Sequence, residues 1–227
     1  MSAAPVAVFV AMDEEAQPFL TRGEQVGETE AVGGALLRTL RIDGRDVLLV
    51  TTGIGLVNNA TAAAVVASRG AARAFVSAGS AGGLAHVRVG DVVVGDDHTY
   101  SRADARAFGY AMGQVPRMPV SYRADPGLVA AAAAGSGGLT VRVGAVVSGD
   151  TFVDGTLVDE VRRDFPAAMV TDMESTALAQ TAFLFGIPFV SVRAISDLCG
   201  AGEFDEHLDH AADRSAEVVV ALLRRMG

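Results

Sequence analysis

Runs of β-branched and aliphatic residues, almost unbroken by polar side chains, constrain this chain's fold more than any other feature. They are Val6 to Ala11, Val47 to Thr51, Ala74 to Ala78, Val92 to Val94, Val141 to Val147, Ala168 to Thr171 and Phe189 to Ile195. A strand that is apolar along its whole length has to be covered on both faces, whereas a half-exposed strand alternates. Helical stretches lie between several of the runs: Asn58 to Ser68, Leu157 to Arg163 and Ser175 to Phe185, with His207 to Arg225 after the last of them. This alternation predicts an α/β fold with a mixed or mostly parallel central sheet flanked by helices. Leu36 to Ile42 and Arg45 to Val50, joined by Asp43-Gly44, read as a hairpin that adds an antiparallel pair to the same sheet. Ala130 to Gly138 reads as a helix end with its glycine stop. The 227 residues are 50% hydrophobic and show neither linker nor internal repeat, so a single domain over 1–227 is expected.

The formal net charge of −9 argues against nucleic acid, anionic membranes and strongly anionic substrates as partners. The adjacent arginines, Arg162-Arg163 and Arg224-Arg225, fall near expected helix ends, where the macrodipole favours them. The one cysteine, Cys199, excludes an internal disulfide and fits a reducing compartment. Without a neighbouring His it reads as a small packed side chain rather than a nucleophile. No basic, apolar leader and no run of membrane-spanning length is present, so a cytoplasmic, membrane-free chain is expected.

Several motifs call for chemistry. Gly53-Ile54-Gly55-Leu56-Val57-Asn58 opens a helix after a strand, but Asn58 and Arg73 stand where a dinucleotide site needs a small residue and an acid. Its glycines instead let the backbone turn tightly and approach a ligand. Gly79-Ser80-Ala81-Gly82-Gly83 is neither a Walker A loop nor a nucleophile elbow. It reads either as a glycine turn or as a small-residue loop that points the Ser80 hydroxyl into a pocket. His207 and His210, near Asp205, Glu206 and Asp209, read as a solvated first helical turn, and no metal site or cofactor is expected.

The carboxylates remain. Glu15 follows the first strand, Glu174 the sixth, and Asp197 ends the seventh in Val190-Ser191-Val192-Arg193-Ala194-Ile195-Ser196-Asp197. Singly, each could cap or begin a helix. Together they would converge on one edge of a parallel sheet, where ligands of open α/β sheets gather. Hydrolysis needs such a group, because leaving-group protonation and water activation require separate residues.

With these residues in order, the chain resembles the nucleoside phosphorylase superfamily and, within it, the 5′-methylthioadenosine/S-adenosylhomocysteine nucleosidases. The signatures are Ala11-Met12-Asp13-Glu14-Glu15, Thr52-Gly53-Ile54-Gly55, Gly79-Ser80-Ala81-Gly82-Gly83, Ala107-Phe108-Gly109-Tyr110, Ser148-Gly149-Asp150-Thr151-Phe152, Asp172-Met173-Glu174-Ser175-Thr176-Ala177 and Arg193-Ala194-Ile195-Ser196-Asp197. The resemblance runs from Val8 to the C-terminal helix. It implies a three-layer α/β sandwich, usually a homodimer, that hydrolyses the N-glycosidic bond of an adenine nucleoside with a 5′-thio substituent.

The resemblance also implies roles. Asp197 would protonate N7 of the leaving adenine, with Ser196 orienting it. Glu174 would hold the ribose hydroxyls beside Met173, and Glu15 would deprotonate the attacking water, positioned by Arg193 and Ser80. Phe152 would stack on adenine and the Val153 backbone would read its edge, while Met12, Ile54 and Phe204 would surround the 5′-thio group. Phe108, Tyr110 and Pro116 would be lent across the dimer interface. Asp172, counted with the substrate-binding residues, stands where the family commonly has Glu, and Ser175 where it has Ala. The acidic Asp13-Glu14-Glu15 would repel phosphate, which favours water over phosphorolysis. A futalosine-type hydrolase or a purine nucleoside phosphorylase is the alternative, and a non-catalytic nucleoside-binding protein is the alternative of another class.

Overall fold

Strand β1 (Val6–Val10) is buried at every position because each face of the sheet carries its own core. Val6, Val8 and Val10 pack into one cluster with α1 (Asp13–Arg22), α3 (Pro126–Ala133) and α6 (Phe204–Arg225). Ala7 and Phe9 point the other way, towards α2 (Leu56–Ser68) and α5 (Ser175–Phe185). The computed structural model describes residues 4–200 and 204–226, the side chains of 204–207 excepted. The remaining strands are β2 (Glu24–Gln25), β3 (Glu30–Val32), β4 (Ala35–Ile42), β5 (Arg45–Thr51), β6 (Ala74–Gly83), β7 (Val92–Tyr100), β8 (Tyr122–Arg123), β9 (Val141–Ser148), β10 (Ala168–Asp172) and β11 (Phe189–Asp197). Helix α4 (Gly155–Asp164) packs Val158 and Val161 against Leu84 and Cys199.

The expected α/β fold with a mixed sheet is present, in the order β10-β9-β7-β11-β6-β1-β5-β4-β2. Strands β5, β1, β6 and β11 are mutually parallel along this path, and β7 turns the direction by pairing antiparallel to β11. The β4–β5 hairpin forms as expected. Its turn residues Asp43 and Gly44 both have positive φ, 49° and 76°, the geometry that two-residue hairpins favour.

Two expectations are corrected. Gly79 to Gly83 is not a loop but the second half of β6, with Gly79 to Ala81 paired in register with β11 and Gly82 opposite Asp197 after a register shift. Small residues serve there because other chemistry crowds against this stretch, as described below. Nor do the three acid-bearing strands share one edge of a parallel sheet. Strand β10 pairs antiparallel with the end of β6, Thr171 opposite Gly82, and so closes β10, β9, β7, β11 and β6 into a ring. Ala81, Val93, Val146, Val170 and Ile195 fill that ring. Its closure brings Glu174 to Glu15 and Asp197.

His98 belongs to the core. Its Nδ1 faces the Tyr122 carbonyl at 3.2 Å and its Nε2 the Ser191 hydroxyl at 2.8 Å, and burial holds its pKa below the ordinary histidine value. The paired arginines do lie in last helical turns, of α4 and α6. No described helix is long and apolar enough to cross a membrane.

Candidate active site

A cavity of about 160 Å³ opens where β1, β6, β10 and β11 approach one another. Its walls hold Met12 and Glu15 from the start of α1, Ile54 from the loop before α2, and Ser80 from β6. Phe152 and Val153 enter from the loop after β9, Asp172, Met173 and Glu174 from the end of β10, and Asp197 from β11. Ten of the expected site residues thus line one cavity. Ala11, Ala81, Gly82, Thr151 and Thr171 complete the lining. Side-chain type gave no signal for these five, but each sits inside or beside a motif already singled out.

The three acids are fixed by different means. Glu15 is 2% exposed; its Oε1 accepts from the Ser80 backbone N–H at 2.8 Å and hydroxyl at 3.0 Å, and its Oε2 from Ala11 N–H at 2.8 Å. Asp197 accepts the Ser196 hydroxyl on Oδ2 and the Cys199 N–H on Oδ1, each at 2.8 Å. Cys199 itself is packed, as expected, with its thiol 3.7 Å from the Gly83 carbonyl oxygen. Glu174 accepts from Gly55 N–H at 3.3 Å and Met173 N–H at 3.2 Å, and lies 3.4 Å from Arg193 Nη1.

Arg193 is expected beside the reacting water, yet it does not line the cavity. It lies behind the wall, 1% exposed, with Nε 3.0 Å from Asp172 Oδ2 and Nη2 donating to Ser77 Oγ at 2.6 Å. A buried guanidinium has to be paired, and its partners face it from β6, β10 and α5. Asp172 is likewise spent on the protein. Its oxygens accept from Ser148 Oγ, Ser175 Oγ and the backbone N–H groups of Glu174 and Ser175, and it forms an ion pair with Arg193, whose Nε–H donates to Ser175 Oγ at 3.1 Å. The Asp172 side chain therefore serves as a hub that orients Arg193 and the start of α5, although it borders the cavity. Ser196 also stands outside the lining and acts on it through Asp197.

Burial pushes the Glu174 carboxyl up to about 7, the Arg193 charge opposing and the Asp172 and Glu15 carboxyls reinforcing the rise. The folded chain then keeps a proton that the unfolded chain releases from about pH 4.5 upward. Glu174 therefore makes a contribution to stability that falls as pH rises from about 4.5 to 7, with a slope of up to ~1.4 kcal/mol per pH unit. Glu174→Gln, which keeps the neutral shape, should flatten that part of a urea-denaturation series; an unchanged slope would place the titration elsewhere.

Phe108, Tyr110 and Pro116 do not reach this chain's cavity; Phe108 ends a 3₁₀ turn and is 83% exposed. The side chains of Phe204 and His207 lie outside the described residues. Among the described residues, no group of three or more His, Cys, Asp or Glu could hold a metal ion.

A carboxylate-ringed cavity in a mixed sheet with helices on both faces defines the class. Residues 5–224 match the phosphorylase superfamily, and the chain belongs to it. A 5′-methylthioadenosine/S-adenosylhomocysteine nucleosidase of Geobacillus thermodenitrificans is 40% identical over 96% of this chain and 95% of its own length. The Neisseria meningitidis nucleosidase of the same name, in complex with methylthio-immucillin-A, superposes with a TM-score of 0.93 at 37% identity, over 97% of this chain and 99% of that one. The Colwellia psychrerythraea nucleosidase, in complex with adenine, superposes with a TM-score of 0.94 at 32% identity, over 99% of this chain and 96% of that one. Within the superfamily, the chain is a member of the 5′-methylthioadenosine/S-adenosylhomocysteine nucleosidase family.

Proposed function

We propose that this chain hydrolyses the N-glycosidic bond of 5′-methylthioadenosine and S-adenosylhomocysteine, releasing adenine and the 5′-thioribose product. The observation that carries this reading is the meeting of Glu15, Glu174 and Asp197 in one cavity whose walls also hold Met12, Ile54, Phe152 and Val153. A site that only binds a nucleoside needs stacking and hydrogen bonds, not three buried acids. The relatives' names and the bound adenine and methylthio-immucillin-A support the substrate class.

Adenine leaves with the electron pair of the C1′–N9 bond, and its departure as an anion is slow. Asp197 supplies the proton to N7, held in place by Ser196. Positive charge then grows on the ribosyl ring and is met by the Glu174 and Glu15 carboxylates. Glu174 holds the ribose hydroxyls, and Glu15 takes a proton from the water whose oxygen bonds to C1′. Phe152 stacks on the base, the Val153 backbone reads its edge, and Met12 and Ile54 border the 5′-thio group.

Water is favoured over phosphate because none of the described lining residues is cationic and Arg193 is already paired. Adenine release from 5′-methylthioadenosine should be equally fast with and without phosphate. A strict phosphate requirement would sink the hydrolytic reading, and release only from S-adenosylhomocysteine or futalosine would redraw the substrate.

The chain is also proposed to form a homodimer. Val57 on α2, Phe183 and Leu184 on α5, and Phe108 and Val120 between β7 and β8 are all more than half exposed. Apolar surface of this kind is usual at interfaces, and a second copy would bring Phe108, Tyr110 and Pro116 to its neighbour's cavity. Sedimentation should give twice the chain mass, and a stable monomer at micromolar concentration would defeat the assignment. The lone buried thiol supports a reducing, cytoplasmic setting.

A further inference from the structure

Helix α2 starts without a cap of its own. Its N-cap position is Gly55, which offers no side chain, and its first turn contains no acid. A helix start leaves backbone N–H groups and a partial positive charge unanswered, and most helices answer them locally. Here the answer comes from 94 positions away: Asp150 Oδ1 accepts the Leu56 N–H at 2.7 Å. The two loops this bond joins stand on the cavity. Asp150 belongs to the loop after β9, two residues before Phe152 and three before Val153; Leu56 follows Ile54, and Gly55 donates to Glu174. Gly55, at φ 106°, leaves room for the carboxylate, since a Cβ there would lie 3.0 Å from Asp150 Oδ1. Asp150 is itself exposed and stands outside the lining.

We infer that Asp150 is a positioning residue that latches the Phe152–Val153 loop to the N-terminus of α2, so that the two walls are held at a fixed separation. Because the latch lies off the reacting atoms, its loss loosens ligand binding and leaves the chemical step in place. The inference rests on the nucleosidase reading for its ligand.

The test compares wild type, Asp150→Asn and Asp150→Ala by steady-state kinetics with 5′-methylthioadenosine, adenine calorimetry and thermal melting. Loss of a cap of this type corresponds to roughly 2- to 30-fold in an equilibrium constant. Asp150→Ala should raise KM and the adenine dissociation constant together by about that factor, with kcat changed less than about threefold. Asp150→Asn, which keeps an acceptor oxygen, should recover part of the loss, and it serves alone if the alanine variant does not fold. Leu56→Pro removes the N–H at the first helical position, where proline is tolerated. Measured against Leu56→Ala, it should weaken adenine to a similar degree and add little to Asp150→Ala. Unchanged adenine affinity in Asp150→Ala, or full additivity of the pair, would overturn the latch. Adenine binding needs no turnover, so a wild type that binds adenine but cleaves nothing would defeat the nucleosidase reading and leave the latch standing.

Discussion

Asp197→Asn should lower kcat for adenine release by about 10²–10⁴-fold, the usual worth of a general acid. The substitution is close to isosteric. Its amide oxygen can still accept the Cys199 N–H that Asp197 Oδ1 accepts at 2.8 Å, and its NH₂ can donate to Ser196 Oγ in reversal of the present bond. The local backbone thus keeps its hydrogen bonds, and the melting temperature should move little. What disappears is the acidic proton. Affinity for adenine and for unreactive analogues should stay within a few fold, so the loss belongs to kcat and not to KM. Near-wild-type kcat in the purified variant would move the proton donor to another residue.

Gly79→Ala is expected to be nearly as costly by an indirect route. A Cβ at this strand position would fall on Glu15 Oε1 and lie 2.9 Å from Arg193 Nη1. Neither neighbour can give way cheaply, because Glu15 is held by Ser80 and Ala11 and Arg193 by Asp172. The backbone angle, φ +146°, adds a second penalty for any residue with a side chain. Displacing Glu15 by an ångström misplaces the water it is to activate, which corresponds to a loss on the order of 10² in kcat. Overpacking should also lower stability by about 1–3 kcal/mol in urea denaturation. A variant of normal kcat would show that Glu15 tolerates relocation and would weaken its assignment as base.

The apolar strands were legible because coverage on both faces leaves an unmistakable run of aliphatic residues, and the Asp43-Gly44 hairpin because its turn chemistry is local. The second half of β6 was not, since Gly79-Ser80-Ala81-Gly82-Gly83 carries no β-branched residue. Its strand conformation is imposed by pairing with β11 and tolerated because Glu15 and Arg193 take up the space side chains would need. Helix α1 is less legible for another reason: its first turn reads as a catalytic motif, so the helix start that Glu15 allows stands beside its reading as an acid. The carboxylates of the cavity were found because each follows a strand. The resemblance places Arg193 beside the reacting water and Asp172 with the substrate, whereas burial pairs them with each other. Asp150 falls within a signature, but its role was not legible, its partner being a backbone N–H on a distant helix.

Strand β11, the last of the described strands in chain order, lies between β6 and β7 in the sheet. A nascent chain that has emerged only as far as β10 therefore holds β6 and β7 without the strand that joins them. Such non-local closure is slow and leaves unpaired edges exposed while it waits. The strand that fills the gap also brings Asp197 and Arg193. On the proposed assignment of Asp197 as proton donor, completion of the sheet and arrival of the acid are one event, so a chain lacking β11 should release no adenine.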